Sequence, residues 1–203
     1  MKVIVYTQRV ERIMAYGERR DCADQRIPEL LTACGFLPVP IYNLPNKDLI
    51  DCFMKNVSAG GVLLTGGNSL CKYGGDAVER DQTETILLEW CIKNNMPMMG
   101  FCRGMQFILD YFGADLKNVD NHVAVRHEIK GAICRDNVNS FHNQAAIHVP
   151  ECLEVVSKST DGVIESVRHK TKSIFAIMWH PERENPFNSD DIRLIKNVFD
   201  GVK

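Results

Sequence analysis

Residues 96–113 read MPMMGFCRGMQFILDYFG. A short apolar run ends at Phe101, and a helical pattern, Met105–Phe112, follows almost at once. Such a join, with no loop between, predicts a buried strand turning directly into a helix. The alternation continues outward. Upstream, GGVLLTGG holds a buried strand at Val62–Leu64, and Glu79–Asn95 is a long amphipathic helix with Ile86, Leu87, Trp90 and Cys91 on one face. Before these come a β-rich run, Val3–Tyr6, and a stretch of mainly helical character, Arg19–Cys34, stopped by Gly35. An extended piece with prolines, Phe36–Ile41, suits a sheet edge, and Lys47–Lys55 reads as a short helix. Downstream, Val123–Ile129, Leu153–Ser157, Ile164–Val167 and Ile174–Trp179 are strand-like with few helices between them. The chain closes with a helix, Asp190–Phe199, for which Ser189 is the expected N-cap. Near-continuous apolar strands alternating with helices predict a mostly parallel sheet covered on both faces. The C-terminal strands are expected to extend it antiparallel, all within one α/β domain over residues 1–203.

Composition narrows the function. The net charge is −2, with 24 basic and 26 acidic residues, which gives no electrostatic reason to expect a nucleic-acid or membrane partner. No segment approaches the roughly 20 apolar residues of a membrane span, and the apolar run Val3–Tyr6 is too short for a secretion signal. A cytoplasmic protein is the expectation. None of the eight cysteines lies within ten residues of the next, so no paired-cysteine metal or redox motif is present, and no metal or cofactor is expected. Free thiols packed as small hydrophobes are the default for all of them.

Cys102 departs from that default. It sits between Gly100 and Gly104 at the strand-to-helix seam, as G-F-C-R-G. Glycines there permit the sharp turn of a nucleophile elbow, which lifts the side chain above the sheet edge. The helix N-terminus would favour the thiolate. A buried thiol beside two packing glycines is the plainer alternative. A nucleophilic cysteine needs a base. Among six histidines, His180 falls at a strand end, in WHPE. Pro181 biases it toward extended geometry, which would place Glu182 on the same side, able to orient the ring. A solvated His and Glu at a strand end is the alternative. Oxyanion donors are expected from the N–H of Arg103, next to the cysteine, and of Gly67, in TGG after another strand end.

GFCRGMQ, LLTGG and MWHPE, in this order and spacing, resemble the class I glutamine amidotransferase superfamily over nearly the whole chain. The resemblance implies a flavodoxin-like sheet and a cysteine-dependent attack on a γ-glutamyl amide through a thioester. Cys102 would be the nucleophile, His180 the base and acid, and Glu182 the orienting residue. Gln106 and the loop Asn139, Ser140, Phe141 and His142 would hold the glutamyl group. Arg103 is more similar to the γ-glutamyl hydrolase branch, which acts alone on a small-molecule substrate. TQRV…YGERRDCADQR and VNSFHNQ resemble the γ-glutamyl-CDP-amidate hydrolases of capsule phosphoramidate synthesis. A glutaminase subunit serving a separate synthetase is the other reading, and a non-catalytic member of the fold a third; a homodimer is open in any of them. In the charged segment Gln8–Asp21, read as a loop and helix start, an arginine such as Arg19 could meet an anionic leaving group, because guanidinium suits phosphate oxygens.

Overall fold

Successive residues of a strand point to opposite faces, so an apolar run such as Val62–Leu63–Leu64 must be covered twice. The computed structural model, which describes residues 1–201, shows both covers. In chain order the elements are β1 (Val3–Tyr6), β2 (Arg9–Ile13), β3 (Glu18–Cys22), α1 (Arg26–Ala33), β4 (Leu37–Pro40), α2 (Lys47–Asn56), β5 (Ala59–Leu64), α3 (Val78–Asn94), β6 (Met98–Phe101), α4 (Arg103–Tyr111), β7 (Lys117–Asn118), β8 (Val123–Gly131), β9 (Arg135–Phe141), β10 (Gln144–Ala145), β11 (Leu153–Ser159), β12 (Ile164–His169), β13 (Ile174–Ile177) and α5 (Ser189–Asp200).

The main sheet has nine strands in the order β4-β1-β5-β6-β13-β12-β11-β8-β9. From β4 to β13 the neighbours pair in parallel; from β13 onward they pair antiparallel. Counted along the chain, the parallel strands follow the flavodoxin-like order 2-1-3-4-5. Side chains alternate as the sheet requires. Ile4, Leu63, Met99, Phe101 and Ile177 pack with α1 and α5 on one face, through Leu30, Leu31, Ile195 and Phe199. Val5, Val62, Leu64 and Met98 pack with α2, α3 and α4 on the other, through Met54, Leu87, Leu88, Met105 and Ile108. Each such aliphatic side chain contributes on the order of 1.5–3 kcal/mol when fully buried. The proline-bearing β4 is an edge strand, where the missing N–H groups cost least. Among the described residues, no helix is long and apolar enough to cross a membrane.

Three local expectations are corrected. Arg19–Cys34 is not one helical stretch: Gln8–Asp21 forms most of an antiparallel hairpin, β2–β3, and helix begins only at Arg26. Asn68 holds the hairpin to the loop after β5, accepting from the N–H of Val10 and donating to its carbonyl, so a contact distant in sequence overrides local pattern. The N-cap of α5 is Asn188, whose side chain accepts from the N–H of Asp190, and Ser189 is the first helical residue. Asn139–Phe141 is the end of strand β9 rather than a loop.

Candidate active site

The ends of β5, β6 and β13 lie side by side, and each carries one part of the site. At the end of β6 the chain turns into α4 within one residue. Cys102 takes φ 48° and ψ −101°, a strained conformation for a residue with a side chain. The two glycines allow it by close approach. A Cβ on Gly104 would lie 2.2 Å from the carbonyl oxygen of Leu64, and one on Gly100 would lie 2.6 Å from the backbone of Gly104. The Cys102 N–H donates to Ile177 (2.8 Å) and its carbonyl accepts from Gln106 (3.0 Å), which fixes the turn between β13 and α4.

His180 follows β13. Its Nδ1 lies 2.6 Å from Oε1 of Glu182, and both side chains are buried. The expected extended geometry does not hold: His180 takes φ −115° and ψ 89°, and Pro181–Arg183 form a 3-10 turn that still brings Glu182 to Nδ1. Nε2 is buried without a hydrogen-bond partner. The ring lies beside Cys102: a Cβ on Gly66 would sit 3.0 Å from His180 Cε1 and 3.9 Å from Cys102 Cβ. Burial alone would lower the imidazole pKa. The negative charges of Cys102 and Glu182 outweigh it and push His180 up to about 10. Such a ring carries its second proton at neutral pH.

The loop after β5 is held from behind. Arg80, fully buried on α3, donates to the carbonyls of Thr65 (2.7 Å), Gly66 (3.1 Å) and Gly67. With its carbonyls turned to Arg80, the loop is free to turn N–H groups outward. Among the described residues neither the N–H of Gly67 nor that of Arg103 has an acceptor. Glu84 sits between the guanidinium groups of Arg80 and Arg103; burial works against its charge, but the two arginines hold its pKa below the usual range. The side chain of Arg103 thus faces Glu84 and Asp81, beneath the elbow.

The structure assembles the other predicted residues differently from expectation. Asn139 clamps the backbone of His180: its Nδ2 donates to the His180 carbonyl and its Oδ1 accepts the His180 N–H, both at 2.8 Å. Ser140 Oγ donates to the carbonyl of His122, and His142 is buried beside Glu165. Phe141 stands edge-on to the His180 ring at 5.7 Å, with Arg183 over its face. Gln106 donates to the carbonyl of Gln144 at 2.8 Å, tying α4 to β10. Arg19 pairs with Glu79 and Asp76, outside the cleft. The cleft beside His180 is lined instead by Arg9, Cys22, Asp24, Thr65 and Gly67, and the stem of Arg9 lies against Gly67. Arg80 and Glu84 were not singled out from the sequence, yet they share the helical stripe of Leu87, Leu88 and Cys91. A charged pair four residues apart on an apolar stripe is the signal that could have revealed them.

The fold and the elbow define the class, and comparison with known proteins agrees. Residues 24–200 match the family model for glutamine amidotransferase class-I, and the chain belongs to that family. It is 32% identical to the gamma-glutamyl-CDP-amidate hydrolase of Campylobacter jejuni over 202 residues, 97% of each chain. It is 26% identical to a glutamine-hydrolyzing GMP synthase chain of Methanococcus maripaludis, covering 78% of this chain and 82% of that one. Among solved structures, a glutamine amidotransferase from Thermotoga maritima superposes with a TM-score of 0.66 at 14% identity, over 98% of this chain and 84% of that one. These relatives support an amide-hydrolysing enzyme.

Proposed function

We propose that Cys102, His180 and Glu182 form a catalytic triad that hydrolyses a γ-glutamyl amide. The observation that carries this is the buried His180 ring beside the strained Cys102 elbow, with Nδ1 on Glu182 and Nε2 left without a hydrogen-bond partner. The thiolate sulfur attacks the γ-carbonyl carbon. The oxyanion formed is met by the N–H groups of Gly67 and Arg103. As the C–N bond breaks, the imidazolium gives its Nε2 proton to the leaving nitrogen, which leaves a γ-glutamyl thioester on Cys102. A water then attacks the thioester, losing a proton to the now neutral Nε2, and glutamate departs as the imidazolium–thiolate pair returns.

The substrate is a small γ-glutamyl compound with an anionic leaving group, and γ-glutamyl-CDP-amidate, the compound named for the C. jejuni relative, is the specific proposal. Its hydrolysis would yield glutamate and the nucleotide phosphoramidate, a group donor for capsule modification. Arg9, at the cleft and against Gly67, is the arginine placed to meet the phosphates, in the role first given to Arg19. A second reading, a glutaminase that passes ammonia to a separate synthetase, is favoured by the similarity to the GMP synthase chain of M. maripaludis. The test is a panel of γ-glutamyl amides, with and without a nucleotide leaving group, assayed for glutamate with the purified chain alone. Release from the nucleotide substrate is expected, and Cys102→Ala should lower it on the order of 10³-fold or more. Turnover retained in that variant would exclude the mechanism.

A further inference from the structure

A second cluster of reactive side chains lies in the antiparallel half of the sheet. Glu165 on β12 is fully buried, and three histidines converge on its Oε1: His122 Nδ1 at 3.4 Å, His127 Nε2 at 3.3 Å and His142 Nε2 at 3.3 Å. None of these contacts is a hydrogen bond: the three nitrogens and both Glu165 oxygens are buried without partners. Polar atoms left so cost roughly 1–3 kcal/mol each, so an arrangement that gathers five of them calls for a common partner.

The surroundings of His122 narrow that partner to a cation. Its Nε2 lies 2.9 Å from Asp161, itself anchored by Ser159 Oγ. A neutral His122 that donates from Nε2 to Asp161 turns the Nδ1 lone pair toward the Glu165 carboxylate. Two lone pairs facing at 3.4 Å repel unless a metal ion or a second ring proton stands between them. The donor atoms of His122, His127 and Glu165 all lie within 4.8 Å of one another. Bonds of 2.0–2.1 Å in a tetrahedron place neighbouring donors about 3.3–3.4 Å apart, the spacing from each nitrogen to the carboxylate oxygen here. The Asp161–His122 contact has the form of an outer carboxylate orienting a metal-bound histidine.

The backbone is shaped to make this cluster. His122 and His127 are an odd number of residues apart, so a regular strand would point them to opposite faces. A bulge at Ala124, with φ 56° and a shift of register between Val123 and Val125, adds the residue that brings them to one side. His142 is positioned by its N–H bond to the carbonyl of His122.

We infer that His122 Nδ1, His127 Nε2 and Glu165 Oε1 bind a divalent transition-metal ion, Zn²⁺ by donor set, with His142 Nε2 as a partner of the carboxylate and Asp161 as the orienting residue. The site is distinct from the Cys102 centre but joined to it: β9, which ends just before His142, carries Asn139, which clamps His180, and the Glu165 carbonyl accepts the N–H of Met178 at 2.8 Å. Its role is to fix these strands behind the base.

The alternative is a carboxylate neutralised by protonated imidazoles with no metal. To separate them, untagged protein is purified without chelators and its metal content measured per chain. Uptake of Zn²⁺ and Co²⁺ is then followed in chelator-stripped Cys102→Ala protein, so that the thiol cannot be the ligand. Near-stoichiometric zinc, visible Co²⁺ absorption bands and a melting temperature that falls on stripping and recovers on zinc addition are expected. His127→Gln should abolish the bands, and Asp161→Asn should weaken affinity about 10–100-fold. Folded protein that takes up neither ion, or a His127→Gln chain that binds as tightly as its parent, would overturn the assignment. Asp161 is exposed, so its variant reports on affinity even if changes to the buried ligands prevent folding.

Discussion

His180 carries opposing influences within one ring. Burial opposes its charge, while Cys102 and Glu182 favour it strongly enough to hold the pKa near 10. In the proposed mechanism the imidazolium must protonate the leaving nitrogen, so the alkaline limb of the rate follows its loss. Hydrolysis is expected to hold through neutral and mildly alkaline pH and to fall only as pH nears about 10. Removing the Glu182 charge removes part of what raises the pKa. Glu182→Gln should therefore move that fall to lower pH in a kcat/KM profile, and an unmoved alkaline limb would deny Glu182 its part. Asn139 gives a second test. Its amide makes both hydrogen bonds to the His180 backbone, so Asn139→Ala should lower kcat with little change in KM. A raised KM with kcat intact would make it a substrate contact. The sequence reading chose that second role for Asn139. The placing of Cys102, His180 and Glu182 at neighbouring strand ends was legible because glycine spacing and strand ends are local. The clamp was not, because its two halves are 41 residues apart and only sheet pairing joins them.

At the scale of elements, the parallel strands were legible because each is buried on both faces and reads as an apolar run. The β2–β3 hairpin was not. Its strands carry charge on most positions, and its hold on the fold comes through Asn68 and through Asp21 on Asn43. This hairpin decides which arginine meets the cleft. Arg9 lines the cleft and, among the described residues, forms an ion pair only with its strand neighbour Glu11, whereas Arg19, on the opposing strand, is held by Glu79 outside it. Arg9→Ala should raise KM for γ-glutamyl substrates with phosphorylated leaving groups and leave a neutral leaving group nearly unaffected, while Arg19→Ala should change neither. Equal effects of Arg9→Ala on both substrate types would remove the phosphate contact. The elbow is an element of another kind, made by the packing of α4 on β5. An alanine Cβ at 104 would meet the Leu64 carbonyl oxygen at 2.2 Å, a backbone atom already committed to the strand. Gly104→Ala must part α4 from β5. It should cost about 1–3 kcal/mol, seen as a lower midpoint in urea, and should slow alkylation of Cys102 as the turn opens. A variant as stable and as reactive as the parent would mean that the glycines do not shape the turn.

For the whole molecule, the open question is whether the site works alone. Arg103 turned the sequence reading toward a self-sufficient hydrolase, but its side chain is buried against Glu84 and Asp81 and supports the elbow from below. The distinction therefore rests on what surrounds the cleft. The hairpin bearing Arg9 precedes the residues matched by the family model, which begin at 24. The similarity to the C. jejuni hydrolase, in contrast, extends over 97% of both chains. If Arg9 makes the proposed leaving-group contact from its own hairpin, the site needs no second protein to complete it, whereas a glutaminase serving a synthetase is expected to be tuned by docking. The purified chain should then release glutamate from a γ-glutamyl nucleotide phosphoramidate at a specific activity that does not vary with protein concentration, and should turn over free glutamine far more slowly. Glutamine hydrolysis that stays negligible alone and rises on adding a synthetase from the same cell would place the chain among the ammonia-supplying glutaminases instead.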